Sequence, residues 1–243
     1  MIIKLNAIDS TNAFLKRLIQ EKELPDYTVV TAEKQMEGRG QMGTSWQSEP
    51  YKNLVASVFK RISCVESDSQ FLLSIAVSLA VVRTLEHFKI PDLKIKWPND
   101  ILSANKKICG ILIETLIKQG SMDAAIIGIG LNVNQVNFPG LPSATSMKIA
   151  CGKEYELDEV RDQLLFQFTH FADSWSDHSI KNELEEMYLS YLFRYLKPST
   201  FENTTGEKFM GFIEGVAKSG KLKIRLEDEV IKEFDIKEVK LLY

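Results

Sequence analysis

The sequence predicts an α+β protein, a central mixed β-sheet flanked by helices with a small C-terminal β-barrel behind it. Three observations predict this. Apolar runs of strand length recur between turn signals up to about residue 134. Other segments place apolar residues at helical spacing instead. Beyond Pro198 only short β runs remain, the texture of a separate small barrel, so the expected domains are 1–196 and 197–243.

The elements follow in order. Asp9-Ser10-Thr11-Asn12 is a helix start, because short oxygen-bearing side chains cap free amides, and Phe14, Leu15, Leu18 and Ile19 follow at helical spacing. Residues 27–32 read as a strand. Residues 33–48 are polar with three glycines and read as a loop. Residues 53–59 are apolar on both faces, which marks a buried strand. A long helix over 68–88 carries Phe71, Ile75, Leu79 and Val82 along one stripe. Its other faces are also largely apolar, so it packs centrally. Residues 93–96 begin a short strand and Trp97-Pro98-Asn99-Asp100 turns the chain. Residues 101–103 and 108–116 form a hairpin about Ala104-Asn105, and 122–134 pairs next across Gln119-Gly120. Helices are expected over 158–175 and 180–191. Strands are expected over 209–216, 222–226 and 230–234, with turns at Lys218-Ser219-Gly220 and Glu227-Asp228.

Composition narrows the function. The chain has 243 residues, 44% hydrophobic and 26% charged, which is ordinary soluble usage. Its net charge of −3 gives no basic footprint for general nucleic-acid binding. No stretch reaches about 18 apolar residues, so no membrane span is expected. Met1-Ile2-Ile3-Lys4 runs straight into polar residues, unlike a signal peptide. Cys64, Cys109 and Cys151 are an odd count at unrelated spacings, which fits a reduced cytoplasmic protein without disulfides or a zinc pattern. Cys109 reads as a small core residue. His87, His170 and His178 have no partner pattern and read as structural.

Chemistry gathers in a few segments. Lys96-Trp97-Pro98-Asn99-Asp100-Ile101-Leu102 puts cations, an amide and a carboxylate on a turn between strands, a site held on a rigid frame. Lys107 sits at a strand mouth before Ile108-Cys109-Gly110-Ile111-Leu112. It reads either as a solvated turn lysine or as a compact charge in a site. Asp100 reads as a metal contact or a lysine-orienting group, and equally as a solvated turn aspartate. Gly38-Arg39-Gly40-Gln41-Met42-Gly43 matches the G-x-G-x-x-G dinucleotide fingerprint in form only. No helix opens at these glycines, because Thr44-Ser45-Trp46-Gln47-Ser48-Glu49-Pro50 continues the loop into another strand. What survives is a loop whose backbone amides can approach an anion, with Arg39 adding a fork of donors and Trp46 at its end. Along residues 128–134, one strand face carries Gly128, Gly130, Asn132 and Asn134; the other carries Ile129, Leu131 and Val133. The glycine face suits a flat heterocycle such as adenine, and it also suits close helix packing. Ser10, Thr11 and Asn12 read as a plain helix cap, or as a cap that also holds a polar carbonyl or an anion.

Taken in order, these segments resemble the biotin protein ligases. The match consists of Asp9-Ser10-Thr11-Asn12, Gln35 with Gly38 to Gly43 and Trp46, Lys96 to Asp100, Lys107 with Gly110-Ile111-Leu112-Ile113-Glu114, and Gly128 to Asn134. Leu141-Pro142-Ser143-Ala144-Thr145-Ser146 is similar to the family's segment beside the adenine pocket, and the C-terminal β run to its SH3-like cap. The resemblance implies a class II synthetase-like catalytic fold and a two-step reaction. Biotin and Mg-ATP (biotin, ATP and Mg2+) give biotinyl-5′-AMP and pyrophosphate, and a lysine of a biotin carboxyl carrier domain then attacks the mixed anhydride. It implies that Arg39 and Lys107 are catalytic. Ser10, Thr11, Asn12 and Gln35 would hold the ureido ring and Trp46 would wall it. Gly40, Gln41 and Gly110 would line the biotin or adenylate site, and Asn99, Gly130 and Asn132 would face the nucleotide. The loop departs from the family pattern at Gln41, where an arginine is frequent, and at Met42 and Thr44, where further basic residues are found; either the loop grips the adenylate less tightly, or Arg39 and Lys107 carry more of the task. The catalytic segment starts at residue 9, so the expectation is a dedicated ligase, monomeric or homodimeric, with no DNA-binding repressor domain and no membrane partner. Two rivals are a lipoate–protein ligase and a non-catalytic nucleotide- or protein-binding module. A nicotinamide oxidoreductase fails on the context of its glycines.

Overall fold

The computed structural model of the chain describes residues 1–62, 70–118, 121–174 and 180–243. Seven strands form one sheet: β1 (Ile2–Ile8), β2 (Thr28–Gln35), β3 (Leu54–Arg61), β4 (Leu93–Lys96), β5 (Asp100–Ser103), β6 (Lys106–Lys118) and β7 (Ser121–Leu131). Their order is β1-β2-β3-β7-β6-β5-β4, with β1 and β2 parallel and every other pair antiparallel. The sheet is therefore mixed, as expected. The β5–β6 hairpin turns on Ala104 and Asn105, both in the left-handed region (φ 47 and 62).

Helices cover both faces. Alternation along β3 and β7 divides the core accordingly. Ala56, Val58, Ile127, Ile129 and Leu131 pack on one side with α2 (Gln70–His87) and α4 (Leu157–Ser174). Phe59, Ala124 and Ile126 pack on the other with Leu15 of α1 (Thr11–Glu21). Ala76, Val77, Leu79, Ala80, Val81 and Val82 of α2 are all fully buried, so this helix is the centre of the larger core, as its apolar circumference predicts. Two further helices, α3 (Met147–Cys151) and α5 (Lys181–Tyr191), complete the layer. Cys109 is a buried core residue. Among the described residues no helix is long and apolar enough to cross a membrane.

The structure corrects several boundaries. β1 was not foreseen: it is an outer strand in which polar Lys4 and Asn6 interrupt a short apolar run. β2 continues to Gln35, so the glycine loop starts later than the polar composition implies. α3 and two C-terminal strands, β8 (Pro198–Asn203) and β12 (Val239–Leu242), are additional. The Gln119-Gly120 turn, Cys64, Asp68, Trp175 and His178 lie outside the described residues.

The C-terminal strands β8, β9 (Lys208–Val216), β10 (Leu222–Leu226), β11 (Ile231–Phe234) and β12 form an antiparallel sheet in the order β11-β10-β9-β8-β12. It is consistent with an SH3-like domain but is open where a closed barrel was expected. Phe201, Ile213, Leu222, Ile224 and Val239 join the core built on α2. The apolar face is thus covered by the rest of the molecule, and the four-residue edges β11 and β12 have no need to meet.

The turn between β4 and β5 is tied to this sheet. Trp97 Nε1 donates to Gly220 O at 2.9 Å, and Lys96 Nζ lies 4.8 Å from the centre of the Tyr243 ring. Replacing Trp97 with Phe keeps most of the packing and leaves Gly220 O without this donor. We expect a loss of about 1 kcal/mol and a drop in unfolding midpoint of about 2–4 °C. An unchanged midpoint in a thermal melt would mean that water replaces this bond at no cost.

Candidate active site

Where α1 begins, the glycine positions of β6 and β7 leave a cavity of about 300 Å³. Its walls come from the start of α1, the end of β2 and the loop after it, β3, the β4–β5 turn, the facing stretches of β6 and β7, and Ile236.

Ser10 caps α1 by accepting from Ala13 N, and with Thr11 and Asn12 it is buried at the cavity wall. Gln35, the last residue of β2, accepts from Thr11 N at 2.8 Å through Oε1. The floor is set by register. Gly110 of β6 faces Gly130 of β7, and Ser57 of β3 faces Gly128. A Cβ at Gly128 would sit 2.5 Å from Asn12 Oδ1, and one at Gly130 only 2.4 Å from Trp46 Cε2. The flat group on the glycine face is therefore the chain's own Trp46 indole. Its Nε1 is buried without a hydrogen-bond partner.

The loop after β2 folds back on itself. Arg39 bridges Ser45, Trp46 N donates to Gly38 O at 2.8 Å, and Gly40 N donates to Thr44 O at 2.7 Å. A single 3-10 turn over Gln41–Gly43 forms the tip. Arg39, Gly40, Gln41 and Trp46 all reach the cavity, and among the described ion pairs none involves Arg39.

On the opposite wall Lys107 Nζ sits 2.6 Å from Asp100 Oδ1 and 5.7 Å from the centre of the Trp46 ring. The lysine side chain is 38% exposed and the aspartate 20%. Lys107 N donates to Ser143 O and its carbonyl accepts from Thr145 N, which pins the residue between β5 and the 143–145 segment. The plain solvated-turn readings of Lys107 and Asp100 therefore give way to a paired arrangement. Asn99 lines the cavity while its Nδ2 donates to Ile111 O at 2.6 Å. Asp100 is the one acidic side chain lining the cavity among the described residues, and no group of three or more His, Cys, Asp or Glu is placed to hold a metal.

Two asparagines go elsewhere. Asn132 is buried outside the cavity lining, its Nδ2 donating to Thr145 O while its Oδ1 has no partner. Asn134 exchanges hydrogen bonds with the backbone of Tyr155. Both anchor the segment that follows β7, a packing role that their strand face concealed.

Ser57 and Ile236 escaped the sequence reading, and Glu114 was named in the family match without a role. Ser57 is fully buried between Thr11 and Asn12; its signal was one hydroxyl inside the apolar run 54–59. Glu114, an acid inside the apolar run 108–116, accepts from Asn12 Nδ2 at 2.9 Å and from Lys16 at 3.1 Å. Burial raises its carboxyl pKa, but these two hydrogen bonds, together with the positive charges of Lys16 and Arg39, outweigh burial and hold it below the usual value. Ile236 reaches the cavity from the turn after β11, a contact that only tertiary packing reveals.

The cavity joins a polar end to a cationic end across a glycine floor, and comparison with known proteins identifies the family. A profile described as "Biotin/lipoate A/B protein ligase family" matches residues 5–132. The chain belongs to this biotin/lipoate ligase family. Among its relatives, the bifunctional ligase/repressor BirA of Bacillus spizizenii is 29% identical over 237 residues, 95% of this chain and 71% of that protein. The biotin–[acetyl-CoA-carboxylase] ligase of Paracoccus denitrificans is 29% identical over 226 residues, 89% of this chain and 91% of that protein. The BirA of Escherichia coli is 33% identical over 129 residues, 53% of this chain and 39% of that protein. In structure, the chain superposes on the biotin protein ligase from Aquifex aeolicus in complex with biotin and ATP with a TM-score of 0.80 and 27% identity, covering 99% and 98% of the two chains. The biotin/lipoate ligase fold therefore extends over the C-terminal sheet as well as the matched residues.

Proposed function

We propose that this family member is an ATP-dependent biotin–protein ligase that forms biotinyl-5′-AMP and passes biotin to a lysine of a biotin carboxyl carrier domain. The observation that carries the reading is one cavity with two ends. Ser10, Thr11, Asn12 and Gln35 match a cyclic urea, which needs both donors and acceptors, whereas Arg39 and Lys107 match phosphate. A dithiolane such as that of lipoate has no polar group for the first end to meet.

In the first step a biotin carboxylate oxygen bonds to the α-phosphorus of ATP and pyrophosphate departs. Bringing the two anions together opposes reaction by roughly 4 kcal/mol per unit charge pair in a partly screened site. Arg39 and Lys107 offset this repulsion and stabilise charge growing on the α-phosphate. Asp100 keeps the Lys107 ammonium aimed, and Mg2+ enters with the nucleotide as part of the substrate. Asn99 and Gly130 would face the nucleotide once the Trp46 indole has moved off Gly130, with Asn132 behind them. The loop carrying Gly40, Gln41 and Trp46 shields the anhydride from water, and Gly110 leaves room for the acyl chain. In the second step a neutral carrier lysine attacks the acyl carbon and AMP leaves. The catalytic domain is taken as residues 1–196 and the C-terminal domain as 197–243, with Ile236 reaching back to the mouth.

The test is pyrophosphate–ATP exchange. Exchange that depends on biotin and not on lipoate supports the reading; exchange driven by lipoate, or none at all, overturns it. Arg39→Ala should lower the exchange rate by about a hundredfold with the fold retained, because one preorganised cation at the reacting phosphate is lost. Near-normal exchange in that variant would remove Arg39 from the mechanism.

A further inference from the structure

Thr11, Asn12, Ser57 and Glu114 form a continuous polar line behind the cavity. Asn12 Nδ2 lies 2.9 Å from Glu114 Oε2, Ser57 Oγ lies 2.5 Å from Asn12 Oδ1, and Ser57 Oγ lies 2.7 Å from Thr11 Oγ1. Each contact needs one hydrogen between its heavy atoms. An ionised carboxylate accepts and never donates, whereas an amide and a hydroxyl can do both. Starting from Glu114, the hydrogens are therefore fixed in turn. The Asn12 amide must point its NH2 at Glu114, which turns Oδ1 toward Ser57. The Ser57 hydrogen must fill the shortest contact, to Asn12 Oδ1. That leaves the Thr11 hydrogen for the 2.7 Å contact to Ser57, ahead of the longer 3.1 Å approach to Gln35 Oε1, which Thr11 N already serves. Thr11 Oγ1 then faces the cavity as an acceptor.

We propose that Glu114, which does not line the cavity, is a positioning residue: its carboxylate sets the direction of the Asn12–Ser57–Thr11 relay, so that Thr11 Oγ1 accepts from a ring N–H of the ligand. The proposal rests on the biotin reading, whose cyclic urea supplies that N–H. Three further observations agree with it. Gly128 has no side chain where Asn12 Oδ1 lies, so the Asn12 amide can sit against β7 within reach of Ser57. Ser57 is fully buried, so water cannot replace its hydrogen. Lys16 bonds the other oxygen of Glu114 and favours its charged form. The relay makes the wall selective for a donor, because a ligand acceptor at the same place would meet lone pairs.

The experiment compares biotin with an analogue methylated at the ring nitrogen, by titration calorimetry on the wild type, Glu114→Gln, Glu114→Asp, Ser57→Ala and Lys16→Met. The wild type should favour biotin over the methylated analogue. Glu114→Gln can present either end of its amide to Asn12, so the relay loses its direction. Biotin affinity should fall by about tenfold and the preference over the analogue should shrink by a similar factor. The rate at saturating biotin and the KM for ATP should stay within about twofold of wild type. Ser57→Ala should do the same by breaking the relay in the middle. Glu114→Asp keeps an obligate acceptor and should recover the preference even where affinity stays lower. Lys16→Met removes the exposed partner and should retain the preference. A Glu114→Gln protein that keeps wild-type preference overturns the relay, as does an equal loss for both ligands in all variants. If the wild type shows no biotin-dependent exchange, the biotin reading fails instead.

Discussion

Lys107→Ala should lower biotinyl-adenylate formation by about 10²- to 10³-fold, the loss expected when a preorganised charge at a developing anion is removed. The effect is specific to the first step. Lys107 Nζ is held 2.6 Å from Asp100 and pinned through its backbone to the 143–145 segment, so its ammonium is placed before substrate arrives. Removal frees Asp100, whose negative charge then faces the phosphates, and this adds repulsion to the lost attraction. The fold should hold, because both side chains are partly solvated. Rapid-quench measurement of adenylate formation checks the size of the loss. Transfer from pre-formed adenylate to the carrier should be reduced far less. A variant within about threefold of wild type in the first step would leave Lys107 only as the partner that orients Asp100.

Gly130→Val should weaken ligand binding by about ten- to a hundredfold without unfolding the protein. Valine is well suited to a strand, so β7 should still pair with β3 and β6. A side chain there, however, would start 2.4 Å from Trp46 Cε2 and project into the cavity. Overpacking of this kind costs about 1–3 kcal/mol, roughly ten- to a hundredfold in affinity, and the added methyl groups also displace whatever lies flat on the floor. Calorimetric titration with biotin, beside a thermal melt, separates the two effects. Normal biotin affinity at an unchanged melting point would mean that the floor is not where the ligand lies.

These two sites illustrate what the sequence carries. The long helix, the β5–β6 hairpin and the helix cap at Ser10 were legible because each is written in local pattern: periodicity, turn residues, capping oxygens. The cavity residues on the α1 start, the glycine loop, the β4–β5 turn and β6 were legible because polar groups there interrupt strands for no local reason. What failed depended on partners far away in the chain. Asn132 and Asn134 were expected on the glycine face of a strand, but β7 ends at Leu131 and both bond instead to the backbone of Thr145 and Tyr155. Ser57 looked like a minor residue in an apolar run until α1 was laid over it. The open C-terminal sheet could not be told from a barrel, since closure depends on whether another surface covers its apolar face.

The strand order β1-β2-β3-β7-β6-β5-β4 also shapes how the site comes into being. Ser57 meets Gly128 only when β3 zips onto β7, and α2, β4, β5 and β6 all lie between them in sequence. Closing so long a loop is entropically slow, so this pairing forms late relative to the local hairpins. The floor that joins the two ends of the cavity is therefore completed only when this pairing forms. A nascent or half-folded chain consequently has nowhere to make a reactive anhydride, and competence to activate substrate arrives together with the cooperative structure that can contain it.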